Sequence, residues 1–232
     1  MCNVLQVQHI AKKRDDLKAQ YFWMEIMTFY TADELLVVDE TAKDLRTIRT
    51  DVGWGLRGQT PHVRDEFLTR GGRVSALTLF SHIGFEAWRF TPNTFNTITY
   101  QVHCPELESW CTLTDVMFVC QAAMDEMLMQ PNTAGNTLAS RYACLLLDNA
   151  SIHKESEFLQ RMKSHINVKF IPPYCYHLSP LDFGAYGLVT RFLKANASAY
   201  SYESITDQLS RAFRSVCPVQ ARWCFHQCRY HF

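Results

Sequence analysis

Cys144-Leu145-Leu146-Leu147-Asp148 is an apolar run closed by a carboxylate, and its reading decides the fold. Tyr142 to Asp148 predicts a buried strand, because a strand covered on both faces loses its polar alternation. The same pattern occurs at Leu35-Leu36-Val37-Val38-Asp39, and a third acid, Asp182, follows Ser179-Pro180-Leu181. Three carboxylates delivered by separate elements suit a site for two divalent cations. Hard cations take oxygen ligands, and two of them can clamp the attacking and leaving oxygens of an in-line displacement at phosphorus. A lone Asp at a strand end is by default a cap for the next turn. Its recurrence in matching contexts favours the metal role and makes nucleic-acid strand chemistry the leading expectation.

Outward from these acids the chain reads as alternating elements. Val4 to Tyr30 is a helix-favouring mixture with Leu17, Tyr21, Met24 and Ile26 near helical spacing. Arg73 to Ser81 and Phe85 to Phe90 predict strands around a turn at Ile83 and Gly84. Glu108 to Met129 predicts an apolar helix, with Met117, Cys120, Met124, Met127 and Leu128 as core. Pro131 to Ser140 reads as a polar loop, Lys154 to Ser164 as a helix, and Val168 to Ile171 as a short strand stopped by Pro172 and Pro173. A helix after Pro180 carries Asp182 in its first turn, where a carboxylate suits the helix dipole, although Gly184 and Gly187 weaken it. Strands followed by strands alternating with helices indicate an α/β layered domain with a mixed central sheet, whose functional residues gather at strand ends. The expected division is a helical lead-in over residues 1–34 and one α/β domain over 35–232 that includes the C-terminal helices.

Composition allows this and restricts the alternatives. A chain of 232 residues, 47% hydrophobic and 20% charged, buries a sizeable core. Its 23 Lys and Arg balance 23 Asp and Glu, so any basic surface is local. From Lys43 to Arg73 seven basic residues (Lys43, Arg46, Arg49, Arg57, Arg64, Arg70, Arg73) face four acids. That excess fits phosphate contacts as well as it fits a solvated charged face. In the same stretch Trp54 and Arg57 offer an aromatic ring and a guanidinium to nucleotide and phosphate, or simply a packed Trp and a solvated Arg. The start lacks a signal-peptide pattern and no apolar run is long enough to span a bilayer, so the reading is soluble and intracellular, without a membrane partner. Nine scattered cysteines read as reduced thiols, and Cys224, His226, Cys228 and His231 do not match paired zinc-ligand spacing.

A family resemblance adds to these residues. Val37-Val38-Asp39-Glu40-Thr41 with Gly53-Trp54-Gly55-Leu56-Arg57-Gly58 resembles the first catalytic block of mariner-superfamily DDE transposases. Leu145-Leu146-Leu147-Asp148-Asn149-Ala150-Ser151-Ile152-His153 is similar to the second block. Ile171-Pro172-Pro173-Tyr174 through Leu178-Ser179-Pro180-Leu181-Asp182 resembles the third, with 33 residues between Asp148 and Asp182. Trp223 to Tyr230 is similar to the tail helix of eukaryotic members. Cys175-Tyr176-His177 stands where the family usually carries Ser-Pro-Asp.

The resemblance implies an RNase H-like fold and a site of two Mg²⁺ or Mn²⁺ ions, Asp39 bridging both while Asp148 and Asp182 each bind one. It implies metal-assisted hydrolysis of a DNA phosphodiester followed by attack of the freed 3′-hydroxyl on target DNA, with DNA as partner, a homodimer allowed, and action in the nucleus. Glu40 and Asn149 would support the site or cap it, His153 would reach a phosphate or begin a helix, and Tyr174 would pack beneath the third acid. Family members precede this domain with helix-turn-helix modules, and about 34 residues precede the first strand here. Weak binding without sequence preference, through Arg46, Arg49, Arg57 and Arg64, is therefore expected of this chain alone. The alternatives are a truncated or domesticated derivative acting as a DNA-binding or protein-interaction module, and a nuclease of the same fold with another substrate.

Overall fold

The computed structural model describes residues 13–44, 56–60, 62, 73–91, 123–131, 135–148, 160, 162–197, 199–200 and 202–232. Five strands form one mixed sheet: β1 Leu35–Lys43, β2 Val74–Ser81, β3 Gly84–Thr91, β4 Cys144–Leu147 and β5 Asn167–Phe170. Their spatial order is β3-β2-β1-β4-β5. β1 pairs antiparallel with β2 and parallel with β4, β2 pairs antiparallel with β3, and β4 pairs parallel with β5. The mixed central sheet read from the sequence is thus present, with β1 and β4 at its heart because their apolar runs are buried on both faces.

Side-chain alternation divides the core into two layers. Leu35, Val37, Cys144 and Leu146 point to one face and join Ala19, Phe22, Ile26, Val189, Phe213 and Phe225; Leu36, Val38, Leu145 and Leu147 point to the other and join Met124, Met127, Leu128 and Met162. The same alternation turns Asp39, two residues beyond Val37, toward the first face.

The helices are α1 Asp16–Phe29, α2 Leu138–Arg141, α3 Tyr186–Ala195, α4 Ile205–Ser215 and α5 Pro218–Gln227, with residues 123–129 also helical. Asp15 starts α1 by accepting from the Lys18 amide at 3.1 Å. Its inward stripe is Ala19, Phe22 and Ile26, so the apolar stripe chosen from sequence is mostly the outer one: Leu17, Tyr21 and Met24 are exposed. Both stripes have helical spacing, and only the sheet decides which is covered. The stretch from Pro131 to Ser140 is likewise not all loop. Thr137 Oγ1 accepts from the Ser140 amide and Ser140 Oγ from the Thr137 amide, each at 3.1 Å, a reciprocal cap that starts α2. Met124, Met127 and Leu128 are core as expected, while Met117 and Cys120 lie outside the described residues.

A hairpin turn at His82 and Ile83 leads into Gly84, whose φ is +131° and whose place a Cβ would bring within 2.9 Å of the Val216 carbonyl. Glycine is required there by both conformation and space. At the other end Tyr230 is fully buried and donates to the Leu178 carbonyl at 2.8 Å, while the Ala32 amide donates to the His231 carbonyl at 2.8 Å. The C-terminal segment therefore straps the start of β1 to the segment that precedes Asp182.

Candidate carboxylate site

The sheet register sets the first two acids side by side. Val37 faces Leu146 across the parallel β1/β4 pair, so Asp39 and Asp148 each lie two residues further on, on the same face of strands about 4.8 Å apart. Asp148 follows directly after β4 ends at Leu147 and is exposed, whereas Asp39 remains within β1 and is half-buried.

Asp182 arrives from a different direction. Ile171 is buried, Pro172 and Pro173 turn the chain, and Tyr174 takes a left-handed φ of +62°. A single 3-10 turn over Tyr176–Leu178 follows, anchored by the buried Cys175 and Leu178. Cys175 and Leu178 tie this segment into the core, so the departure from the family's Ser-Pro-Asp leaves it packed. Ser179 Oγ then accepts from the Asp182 amide at 3.3 Å, and Asp182 enters a π turn, Leu181–Ala185, that runs directly into α3. Such single-turn widenings concentrate at functional sites.

Gly184 does not weaken this turn. A Cβ there would lie 2.6 Å from Cys224 Sγ on α5, so the bare backbone lets the π turn press against α5. Gly187 has open space around its Cα and no comparable role.

Asp39, Asp148 and Asp182 line one cavity of about 320 Å³, with Val38, Ile171, Tyr174, Tyr176 and Ser179 among its walls. Tyr174 is a rim residue, 53% exposed, and does not pack beneath Asp182. The positive φ swings its ring outward, which the Pro-Pro-Tyr motif alone did not reveal. The carboxyls of Asp39 and Asp182 share a hydrogen bond. Burial foremost, and then the charge of Asp182, pushes the Asp39 carboxyl well above its ordinary range, and Asp39 Oδ1 accepts from the Glu40 amide at 2.7 Å. Asp182 is also raised, first by burial and further by the charge of Asp148. Among the described residues no group of three His, Cys, Asp or Glu side chains is gathered tightly enough to form a ready metal centre. The close contact is the Asp39–Asp182 pair, and Asp148 faces the same cavity from its own strand end.

Tyr186 is a member of this site that sequence reasoning missed. Thr78 stands directly opposite Asp39 in the β1/β2 register, and its hydroxyl donates to the Asp39 backbone carbonyl at 3.3 Å. Tyr186 donates in turn to Thr78 Oγ1 at 2.9 Å. The Tyr186 phenol is pushed well above its ordinary range by burial and by the adjacent charge of Asp39. Its signal in the sequence was its place one helical turn after Asp182, visible only once that turn is known to be helical. Arg57 is exposed in a short turn with Gly58 at φ +86°. Arg46, Arg49, Trp54, Arg64 and His153 lie outside the described residues, as do Asn149 and Arg70. Cys224 and Cys228 are buried core thiols.

Two solved structures share this arrangement of strands and helices. The Mos1 strand transfer complex matches over 98% of this chain and 63% of its own, with a TM-score of 0.57 and 12% identity. The mariner Mos1 paired end complex with Mg matches over 100% of this chain and 68% of its own, with a TM-score of 0.50 and 11% identity. At such identities the likeness is one of fold, the RNase H-like sheet flanked by helices. The chain thus spans under two thirds of the length of the strand-transfer protein. No curated protein sequence matches this chain. The family model described as DDE superfamily endonuclease matches residues 34–205, a span that takes in all three acids. On that match, the chain belongs to the DDE superfamily endonuclease family.

Proposed function

We propose that Asp39, Asp148 and Asp182 are the catalytic metal ligands of a DNA transposase core, which hydrolyses a DNA phosphodiester and joins the freed 3′-hydroxyl to target DNA. The observation that carries this reading is the hydrogen-bonded Asp39–Asp182 pair sharing a cavity with Asp148 in a DDE-family chain. The donor set fits divalent cations of the Mg²⁺ and Mn²⁺ type. It consists of carboxylate oxygens, the ligands such ions prefer. Two carboxyls within hydrogen-bond reach share either a proton or a cation, since like charges that close do not both ionise alone.

With two ions bound, as this reading has it, the metal would lower the pKa of an attacking water and neutralise charge on the phosphate. The remaining work belongs to the chain. Asp39, half-buried and fixed by the Glu40 amide and the Thr78 hydroxyl, is the rigid ligand. Asp182 rides on the π turn and Asp148 on a strand end, and together with Asp39 they would hold the cations while leaving the open side of the cavity to the substrate phosphate. Tyr174 and Tyr176 wall that side and restrict bulk water. Acting on chromosomal DNA, the protein would work in the nucleus.

A non-catalytic derivative is less favoured, because all three acids are retained and face one cavity. The test is cleavage of plasmid DNA with Mn²⁺ or Mg²⁺ by the chain and by its Asp39→Asn, Asp148→Asn and Asp182→Asn variants. Loss of cleavage in each variant, with folding intact, is expected; unchanged cleavage in any one removes that residue from the ligand set.

A further inference from the structure

Pro172-Pro173-Tyr174-Cys175 closes a hydrogen-bonded turn, in which the Cys175 amide donates to the Pro172 carbonyl at 3.2 Å. Proline fixes a negative φ at the second position, and Tyr174 at the third has φ +62°, so the turn is of type II. Glycine is the ordinary occupant of that third position. A bulky ring there strains the backbone, and such strain persists where function uses it. Both flanks of the turn are pinned. The Ile171 amide donates to the Leu147 carbonyl at 2.8 Å, directly before Asp148, and the buried Cys175 sets its thiol on the Pro173 carbonyl at 3.5 Å. Tyr174 is thereby held at the rim of the cavity that Asp39, Asp148 and Asp182 line. The nearby rings of Tyr176 and Phe183 pack on each other, with centroids 6.1 Å apart and planes tilted by 40°. A base between two rings needs about twice the 3.4 Å spacing of stacked nucleotides, so that gap admits none. Among the described residues no ring packs on Tyr174, and it is 53% exposed.

We propose that Tyr174 is a stacking platform for an unpaired nucleobase of the DNA strand whose phosphate enters the carboxylate cavity. This rests on the reading of DNA as the substrate. A base within a duplex has both faces covered by its neighbours, so a ring at the rim engages one only where the strand is frayed or the base is turned out. Every base has a π face, so the platform adds affinity and positions the adjoining phosphate with little sequence preference. The pinned turn fixes the ring before DNA arrives, which spares the cost of ordering it on binding.

The test uses a single-stranded oligonucleotide carrying 5-iodouracil and the same sequence as a duplex, with Ca²⁺ present to occupy the carboxylates. Ultraviolet irradiation of the wild-type complex is expected to crosslink the single strand to the peptide that contains Tyr174. Tyr174→Gly is expected to weaken single-strand binding by about 5- to 150-fold, the range for one base–aromatic stack, and to leave duplex binding unchanged. Its melting temperature should stay near that of the wild type, because glycine adopts φ +62° without strain. Tyr174→Asn, whose side chain also tolerates that conformation, serves should Tyr174→Gly fold poorly. Tyr174→Phe keeps the ring and should keep the affinity. Crosslinks confined to other peptides, unchanged single-strand affinity in Tyr174→Gly, or its loss in Tyr174→Phe would each overturn the platform, while duplex binding and metal-dependent cleavage by the wild type would leave the DNA reading intact. A wild-type chain that binds neither form of DNA would overturn the DNA reading, and the platform with it.

Discussion

The Asp39 carboxyl keeps its proton more tightly in the fold than in the unfolded chain, since its ordinary value is 3.8 and burial beside Asp182 raises it well above that. Between those values the folded protein holds protons that the unfolded chain has released. Stability without metal therefore falls as pH rises through that window and is fullest at its acidic end. Asp39→Asn, which removes one of the two like charges, is expected to melt higher than the wild type at neutral pH and to flatten the dependence; thermal melts across the acid-to-neutral range in a chelator check this. Tyr186→Phe deletes the donor to Thr78 while keeping the ring. A cost of about 1 kcal/mol is the expected size for one hydrogen bond of this kind. Denaturant titration measures it, and a slower metal-dependent cleavage at unchanged DNA affinity would show that the Tyr186–Thr78 chain positions Asp39.

At the scale of elements, the two glycines after Asp182 make opposite predictions. Gly184→Ala drives a methyl into Cys224 Sγ at 2.6 Å and must separate the π turn from α5. Overpacking of this kind costs about 1 to 3 kcal/mol, and here it displaces the element that carries Asp182. Gly187→Ala meets nothing within 4 Å and lies inside α3. It is expected to stabilise by about 0.5 to 1 kcal/mol, the helix preference of alanine over glycine. Equal melting temperatures for the two variants would show that the close approach of α5 does not govern the turn. The hairpin of β2 and β3 was legible in sequence because a glycine punctuates two strand-forming runs. The cap at Thr137 was present in the sequence too, but a Thr-x-x-Ser pair within a polar stretch also fits a loop, and only the buried Ala139 distinguishes them.

Across the whole molecule the C-terminal segment acts at a distance on the site. Tyr230 is fully buried, meets the Phe225 ring at a tilt of 55°, and holds the Leu178 carbonyl just before Asp182. Tyr230→Ala is expected to cost about 3 to 5 kcal/mol, as truncation of a buried aromatic does. A ligand that binds only the folded state stabilises it by RT ln(1 + [L]/Kd). Mn²⁺ should therefore raise the melting temperature of the wild type and of Tyr230→Phe, and leave that of Asp39→Asn nearly unmoved. An equal rise in the wild type and Asp39→Asn, confirmed by equal Mn²⁺ uptake in calorimetry, would remove Asp39 from the site.

What the amino-acid sequence determined by itself was local or periodic: the apolar runs of β1 and β4, the acids that close them, the proline stop after β5, and the order of blocks that marks the family. Each depends on residues within one element, where burial and backbone preference act over a few positions. The tertiary structure alone decided which stripe of α1 is covered, that Tyr174 turns outward, that Gly184 is a contact with Cys224, and that Tyr186 and Thr78 stand behind Asp39. These depend on pairs far apart in the chain, such as Thr78 with Tyr186, whose meeting follows from sheet register and helix packing. The convergence of Asp39 and Asp182 belongs to the same class. Two carboxyls are driven together against their own repulsion only because the whole core, strapped by the C-terminal segment, holds the elements that carry them.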